Sequence, residues 1–177
     1  MLPSAGTYVL VMRSRWIWIV INAGAVLLYS LVSLKLHLKP DAAIMFATPD
    51  SQEYMEVGRS ILDGTPGELL LRRPYLYPVL IASLRSLIGV WGIWSVQALM
   101  WLASMNLVAL AVLRTTRSWT WTIAAAVLMA TDLSMIALTY HGLTEVMSIF
   151  LVSIIALWLS THRGKYRELP FFNGLVI

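Results

Sequence analysis

The chain of 177 residues contains no cysteine, so neither a disulfide nor a thiolate metal site can form. Charge is also scarce: only 12% of residues are Asp, Glu, Lys or Arg, while 59% are hydrophobic. A soluble domain carries about a quarter charged residues. With a mean hydropathy of +0.75, the composition excludes a soluble globular domain and places the chain in a membrane. No internal repeat or low-complexity linker is visible. The net charge of +4 and the pI near 9.6 do not point to nucleic acid, because the basic residues flank the apolar runs. That placement is what membrane orientation requires.

Four apolar runs are long enough to cross a hydrocarbon core of about 30 Å. They lie near Trp16–Leu36, Trp91–Leu113, Trp119–Thr139 and Leu143–Ser160. The first exceeds a signal-peptide core and no small-x-small cleavage site follows it, so it is an uncleaved anchor. A fifth run, Tyr75–Ile88, is short, follows a proline, and carries Pro78 and Arg85. If it lies on the surface, Arg13, Arg15, Arg114, Arg117, Arg163, Lys165 and Arg167 all share the cytoplasmic side, which satisfies the positive-inside rule. The expected fold is therefore all-α and polytopic, a single membrane domain over 1–177 with an outer loop at 37–90 and a cytoplasmic N-terminus. Leu169 to Ile177 has the composition of a further span that opens near 170, so the chain is expected to be the N-terminal piece of a longer protein.

The outer loop concentrates the acids: Asp41, Asp50, Glu53, Glu56, Asp63 and Glu68. Residues 50–63 are predicted to form an amphipathic helix lying flat on the interface, with Tyr54, Val57, Ile61 and Leu62 on its apolar face. Asp50 followed by Glu53 has the form of a capping box, and Gly64-Thr65-Pro66-Gly67 stops the helix. A capping carboxylate is held rigidly and is a weak base, yet it can still accept a proton where substrate excludes water. Arg72 and Arg73 suit either lipid headgroups or a bidentate phosphate clamp. Tyr75 and Tyr77 suit interfacial anchoring or the wall of a sugar pocket.

Two acids, Asp132 and Glu145, fall inside apolar runs, where ionisable groups face a partner or a cavity. His141 lies one helical turn before Glu145, and structural pairing of the two is favoured over a metal site, since two ligands are too few. Asp132 is expected to pair with Arg85 or His141.

One span, then Asp50…Tyr54…Gly58-Arg59…Leu62…Gly64, then Arg73-Pro74…Tyr77-Pro78, a short helix ending at Gly89, and Thr144-Glu145 opening a later span: this order resembles the N-terminal module of GT-C type membrane glycosyltransferases. That superfamily includes protein O-mannosyltransferases and lipid A aminoarabinose transferases. The likeness covers roughly residues 16–160. It departs where many members have two adjacent acids in place of Asp50-Ser51, and Lys-Pro-Pro in place of Arg-Arg-Pro-Tyr. The resemblance implies inverting transfer of a sugar from a polyprenyl-phosphate donor to a lipid, glycan or protein acceptor on the extracytoplasmic face of a bacterial cytoplasmic membrane. It implies Asp50 as the catalytic carboxylate that activates the acceptor or sits close to the reaction, and Arg72 and Arg73 at the lipid phosphate, while Tyr77, also in the substrate-binding set, and Pro78 match the tail of the family's proline-rich string. Glu53, Tyr54, Arg59, His141 and Glu145 complete the candidate substrate-binding set, with no metal and no other cofactor. Besides the donor, membrane lipids are the expected partners. Two other functions fit the same composition: a non-catalytic membrane subunit or lipid-binding scaffold, and a transporter piece with Asp132, His141 and Glu145 along its pathway.

Overall fold

The computed structural model describes residues 5–65 and 75–162, with side chains from Arg15 onward. Among these residues every regular element is a helix. The order is α1 (Ala5–Lys35), α2 (Ala42–Met45), α3 (Pro49–Leu62), α4 (Leu76–Ile88), α5 (Val90–Thr116), α6 (Trp119–Ala130), α7 (Leu133–Leu138) and α8 (Glu145–His162). Three stretches are long and apolar enough to cross a membrane: Arg15–Lys35 in α1, Val90–Thr116 in α5 and Glu145–His162 in α8. The chain is thus an all-α protein with the helices of a polytopic membrane domain.

The expected span Trp119–Thr139 is not one helix. It breaks at Thr131 and Asp132 into α6, of 12 residues, and α7, of 6. At 1.5 Å per residue α6 rises only ~18 Å, well short of the hydrocarbon thickness. The break has a local cause. The Asp132 carboxylate accepts a hydrogen bond from the Met135 amide at 3.2 Å and so starts a new helix. Asp132 is exposed and serves as a cap rather than as the expected partner of Arg85 or His141.

α5 is the axis of the bundle. It packs against α6 and α8, while α1 packs against α6 and α7. α1 and α5 run antiparallel: Asn22 pairs with Asn106, whereas Tyr29, further along α1, meets the earlier Trp101 in a tilted ring contact at 5.1 Å and bonds Trp94 near the start of α5. At mid-span the amides of Asn22 and Asn106 exchange hydrogen bonds of 3.0 and 2.8 Å. Lipid gives helices no hydrophobic reason to associate, so close packing of small residues and polar pairs must hold them. α6 accordingly buries Thr122, Ala126 and Ala130, one turn apart, and α8 buries Ser153. The outward residues of α8, such as Val152, Ile155 and Trp158, are exposed and apolar, as lipid contact demands.

The second structural layer is the helical pair α3 and α4, at the end of the bundle where α1 stops and α5 begins. α3 does not stand alone. It buries Ser51, Tyr54, Met55, Val57 and Gly58, chiefly against α4, which buries Tyr77, Pro78, Ile81 and Ala82. Each large apolar side chain removed from water there stabilises the pair by about 1.5–3 kcal/mol. The approach is close enough that Gly58 is the only residue type that fits: a Cβ there would lie 2.1 Å from the Pro78 carbonyl oxygen. α4 has 13 residues and turns into α5 through Gly89, whose φ of 75° is a glycine conformation.

The start of α3 also differs from the sequence expectation. Its N-cap is Thr48, whose hydroxyl accepts from the Ser51 amide at 3.2 Å, with Pro49 in the first turn. Proline is pre-set for that first position and threonine is a good cap, so together they move the helix start ahead of Asp50. Asp50 therefore stands within the first turn, and the cap position expected for it is held by Thr48.

Candidate functional site

Two core clusters adjoin at Trp94, one within the bundle and one at its α3–α4 end. The membrane-embedded one is organised around Tyr29, which is buried on α1. Its hydroxyl is 2.6 Å from the Thr139 hydroxyl and accepts from Trp94 Nε1 at 2.9 Å. Tyr140 stacks on Tyr29 at 6.1 Å and donates its own hydroxyl to Ser33 at 2.8 Å. Beside this cluster lies a cavity of about 620 Å³ between α1 and α5. Tyr29, Trp94, Trp101 and Tyr140 form its floor, and the exposed Val26, Leu34 and Leu99 stand at its edge. The cavity occupies the half of the bundle that faces α3 and α4. Its lining is apolar and aromatic, with the hydroxyls of Ser30, Ser33 and Ser95 as polar relief.

The second cluster joins α2, α3, α4 and the segment between α7 and α8. Tyr54 meets Tyr77 edge-on at 5.5 Å, and Met45, Met55, Ile81 and Ile93 fill the space around them. The Gly142 amide donates to the Met45 carbonyl at 2.8 Å, and Gln97 Nε2 donates to the His141 carbonyl at 2.9 Å. These two bonds pin the loop ahead of α8 to α2 and α5. The Arg85 guanidinium lies 4.7 Å from the centroid of the Phe46 ring, a cation–π contact.

Four polar atoms of this region are buried without a hydrogen-bond partner: the Tyr77 hydroxyl, Arg85 Nη1, Gln97 Oε1 and His141 Nδ1. Each such atom costs about 1–3 kcal/mol, more if charged. Burial pushes the Tyr77 hydroxyl well above its ordinary range, and the Glu145 carboxylate and Tyr54 push it further in the same direction. Tyr77 is therefore a hydrogen-bond donor across the accessible pH range.

The sequence-predicted residues divide into three groups. Tyr54 and Tyr77 meet, the charge of Glu145 bears on the Tyr77 hydroxyl, and His141 lies in the loop just before Glu145. Asp50, Glu53 and Arg59 stand on α3, with Asp50 and Arg59 exposed near its opposite ends and Glu53 half-buried. Arg72 and Arg73 lie outside the described residues. The expected helical pairing of His141 with Glu145 does not occur, because α8 begins only at Glu145 and His141 precedes it in a loop. No group of three or more metal-ligating side chains exists among the described residues. Arg85, Gln97 and Phe46 were missed as site residues. Arg85 in a short apolar helix was the available signal; Gln97 inside an apolar span was the other.

Compared with known proteins, the chain matches no family model, no curated protein and no solved structure.

Proposed function

We propose that this chain is a membrane glycosyltransferase, or the N-terminal part of one, that uses a sugar donor linked to a polyprenyl phosphate. One observation carries the reading: an aromatic, apolar cavity of about 620 Å³ lies between α1 and α5, in the half of the bundle next to α3 and α4, and the first turn of α3 bears Asp50. A long apolar chain suits such a lining, because it exchanges lipid contacts for aromatic ones with no polar group to desolvate. Its phosphate and sugar then stand at the level of α3 and α4. Asp50 is the base in this scheme. It accepts the proton of the incoming hydroxyl, the oxygen bonds to the anomeric carbon, and the carbon–phosphate oxygen bond breaks with its electron pair on the phosphate.

Membranes containing the chain are supplied with polyprenyl-phosphate sugars and assayed for transfer. Asp50→Asn keeps shape and removes the base, so the rate falls by about 10²–10⁴. Ala98→Trp fills the cavity and raises the KM for long-chain donors more than for short-chain ones. Full transfer by Asp50→Asn removes that residue from the mechanism. A wild-type chain that binds the carrier but transfers no sugar selects instead a lipid-binding scaffold.

A further inference from the structure

We propose that the break between α6 and α7 is the docking face for a transmembrane helix of a partner subunit, one that carries an arginine or lysine at the level of Asp132. The inference goes beyond sugar transfer and does not rest on it, since none of the residues at the break lines the cavity or belongs to α3.

The depth of the break follows from contacts on either side of it. α6 begins beside the early part of the α1 span, where the Trp119 ring meets Trp18 at 6.1 Å. Past α7, the hydroxyls of Thr139 and Tyr140 bond those of Tyr29 and Ser33. Both partners lie before Lys35, where the apolar run of α1 ends. The break is bracketed by these two levels. α6 packs along α1 and rises ~18 Å from Trp119, which brings Thr131 and Asp132 near the level of Tyr29, ~9 Å short of Lys35.

Two costs arise at that depth. Hydrocarbon cannot satisfy the backbone groups freed where a helix stops, so broken membrane helices face protein or a water-filled space. An ionisable side chain there pairs with a partner or faces a cavity. Yet Thr131, Asp132 and Ser134 are all exposed, beside the exposed Val127, Leu128 and Leu133. The Asp132 carboxylate accepts from the Met135 amide, and no cation pairs with it among the described residues. Arg85 covers the Phe46 ring instead, and His141 is held through its carbonyl by Gln97. The same features set the partner. A polar break with bare leucines on both sides suits a helix, whose apolar side chains cover the leucines while one polar group meets the carboxylate. That group must be a cation, and this chain does not supply it. Its described spans carry Lys, Arg and His only near their ends, and the run from Leu169 to Ile177 has none. A second copy related by a two-fold axis would set Asp132 against Asp132, and like charges repel.

The test places the full chain in phosphatidylcholine liposomes. The sequence has no cysteine, so Ser118→Cys accepts a single donor dye. The probes are synthetic leucine–alanine transmembrane helices bearing an acceptor dye, with either one arginine or one leucine six residues from the outer end. Energy transfer is expected to report association with the arginine helix about three- to tenfold tighter than with the leucine helix. Asp132→Asn keeps the cap and loses the charge. It should erase that preference while exchange protection over residues 133–138 stays near the wild-type level. The proposal is overturned if the arginine helix binds no better than the leucine helix, or if Asp132→Asn preserves the preference. Two further results overturn it by naming another neighbour. Energy transfer between two labelled copies that Asp132→Asn abolishes assigns the face to a second copy. A cysteine placed by Ser134→Cys that reacts with a membrane-impermeant maleimide as fast as one placed by Ser118→Cys assigns it to water.

Discussion

Gly58→Ala is expected to separate the α3–α4 pair, although alanine is the better helix former. On intrinsic propensity the substitution stabilises a helix by about 0.5–1 kcal/mol. Packing opposes this. The added carbon would lie 2.1 Å from the Pro78 carbonyl oxygen and 2.7 Å from both the Pro78 carbonyl carbon and Ala82 Cβ. The first distance is more than 1 Å short of ordinary contact, and two of the three obstacles are backbone, which no rotamer change can clear. α3 must retreat, and a gap of 0.5–1 Å already forfeits about a quarter to a half of each dispersion contact behind it. Overpacking of this kind costs about 1–3 kcal/mol, and a clash with backbone belongs at the upper end. The net expectation is about 2 kcal/mol of destabilisation local to α3 and α4. Amide hydrogen exchange in nanodiscs reads it directly: α3 amides lose protection by about an order of magnitude or more, while α5 and α8 amides do not change. Gly24→Ala is the control, since nothing lies within 4 Å of its added carbon, and there the propensity gain should appear alone. If Gly58→Ala leaves α3 protection at or above the wild-type level, the tight approach to Pro78 is wrong.

Two further substitutions probe the membrane layer. Asn22→Ala strands the Asn106 amide between α1 and α5 and should cost about 1–2 kcal/mol in a nanodisc unfolding titration, and the Asn22→Ala/Asn106→Ala pair less than the two single changes added. Additive effects would show that the two amides do not act on each other. Asp132→Ala removes the cap of α7 and should cost about 1 kcal/mol, seen as faster exchange over residues 133–138 with α6 unaffected; Asp132→Asn should retain most of that protection, and equal losses in both would assign the effect to charge instead.

The long elements were legible because their signal is composition over length. α1, α5 and α8 follow directly from runs of about 20 apolar residues, and Gly64 ends α3 where the turn cluster stands. The break at Thr131–Asp132 was not legible as a break. A lone aspartate in an apolar run looks like a buried ion seeking a partner, and only its bond to the Met135 amide reveals a cap. The same ambiguity misplaced the start of α3. Thr48-Pro49-Asp50 contains two competent caps, and the proline decided between them. Tyr54 and Tyr77 were named from order and spacing, and they do meet. Arg85, Gln97 and Phe46 were not, because their relation is tertiary: each comes from a different element, and no local pattern joins a guanidinium to a ring 39 positions earlier. Ser51 and Gly58 were likewise hidden. Both are fully buried and small, which is the mark of helix approach and not of an apolar face.

The bond between the Gly142 amide and the Met45 carbonyl bears on how the chain is made. Met45 leaves the ribosome long before Gly142, so α2 has no permanent seat while the first helices enter the bilayer. α3 and α4, being neighbours in sequence, can associate early. The roof over Phe46 and Arg85 closes only when the polypeptide leading into α8 arrives. Insertion of α8 is thus coupled to the seating of α2 and to the completion of this end of the bundle.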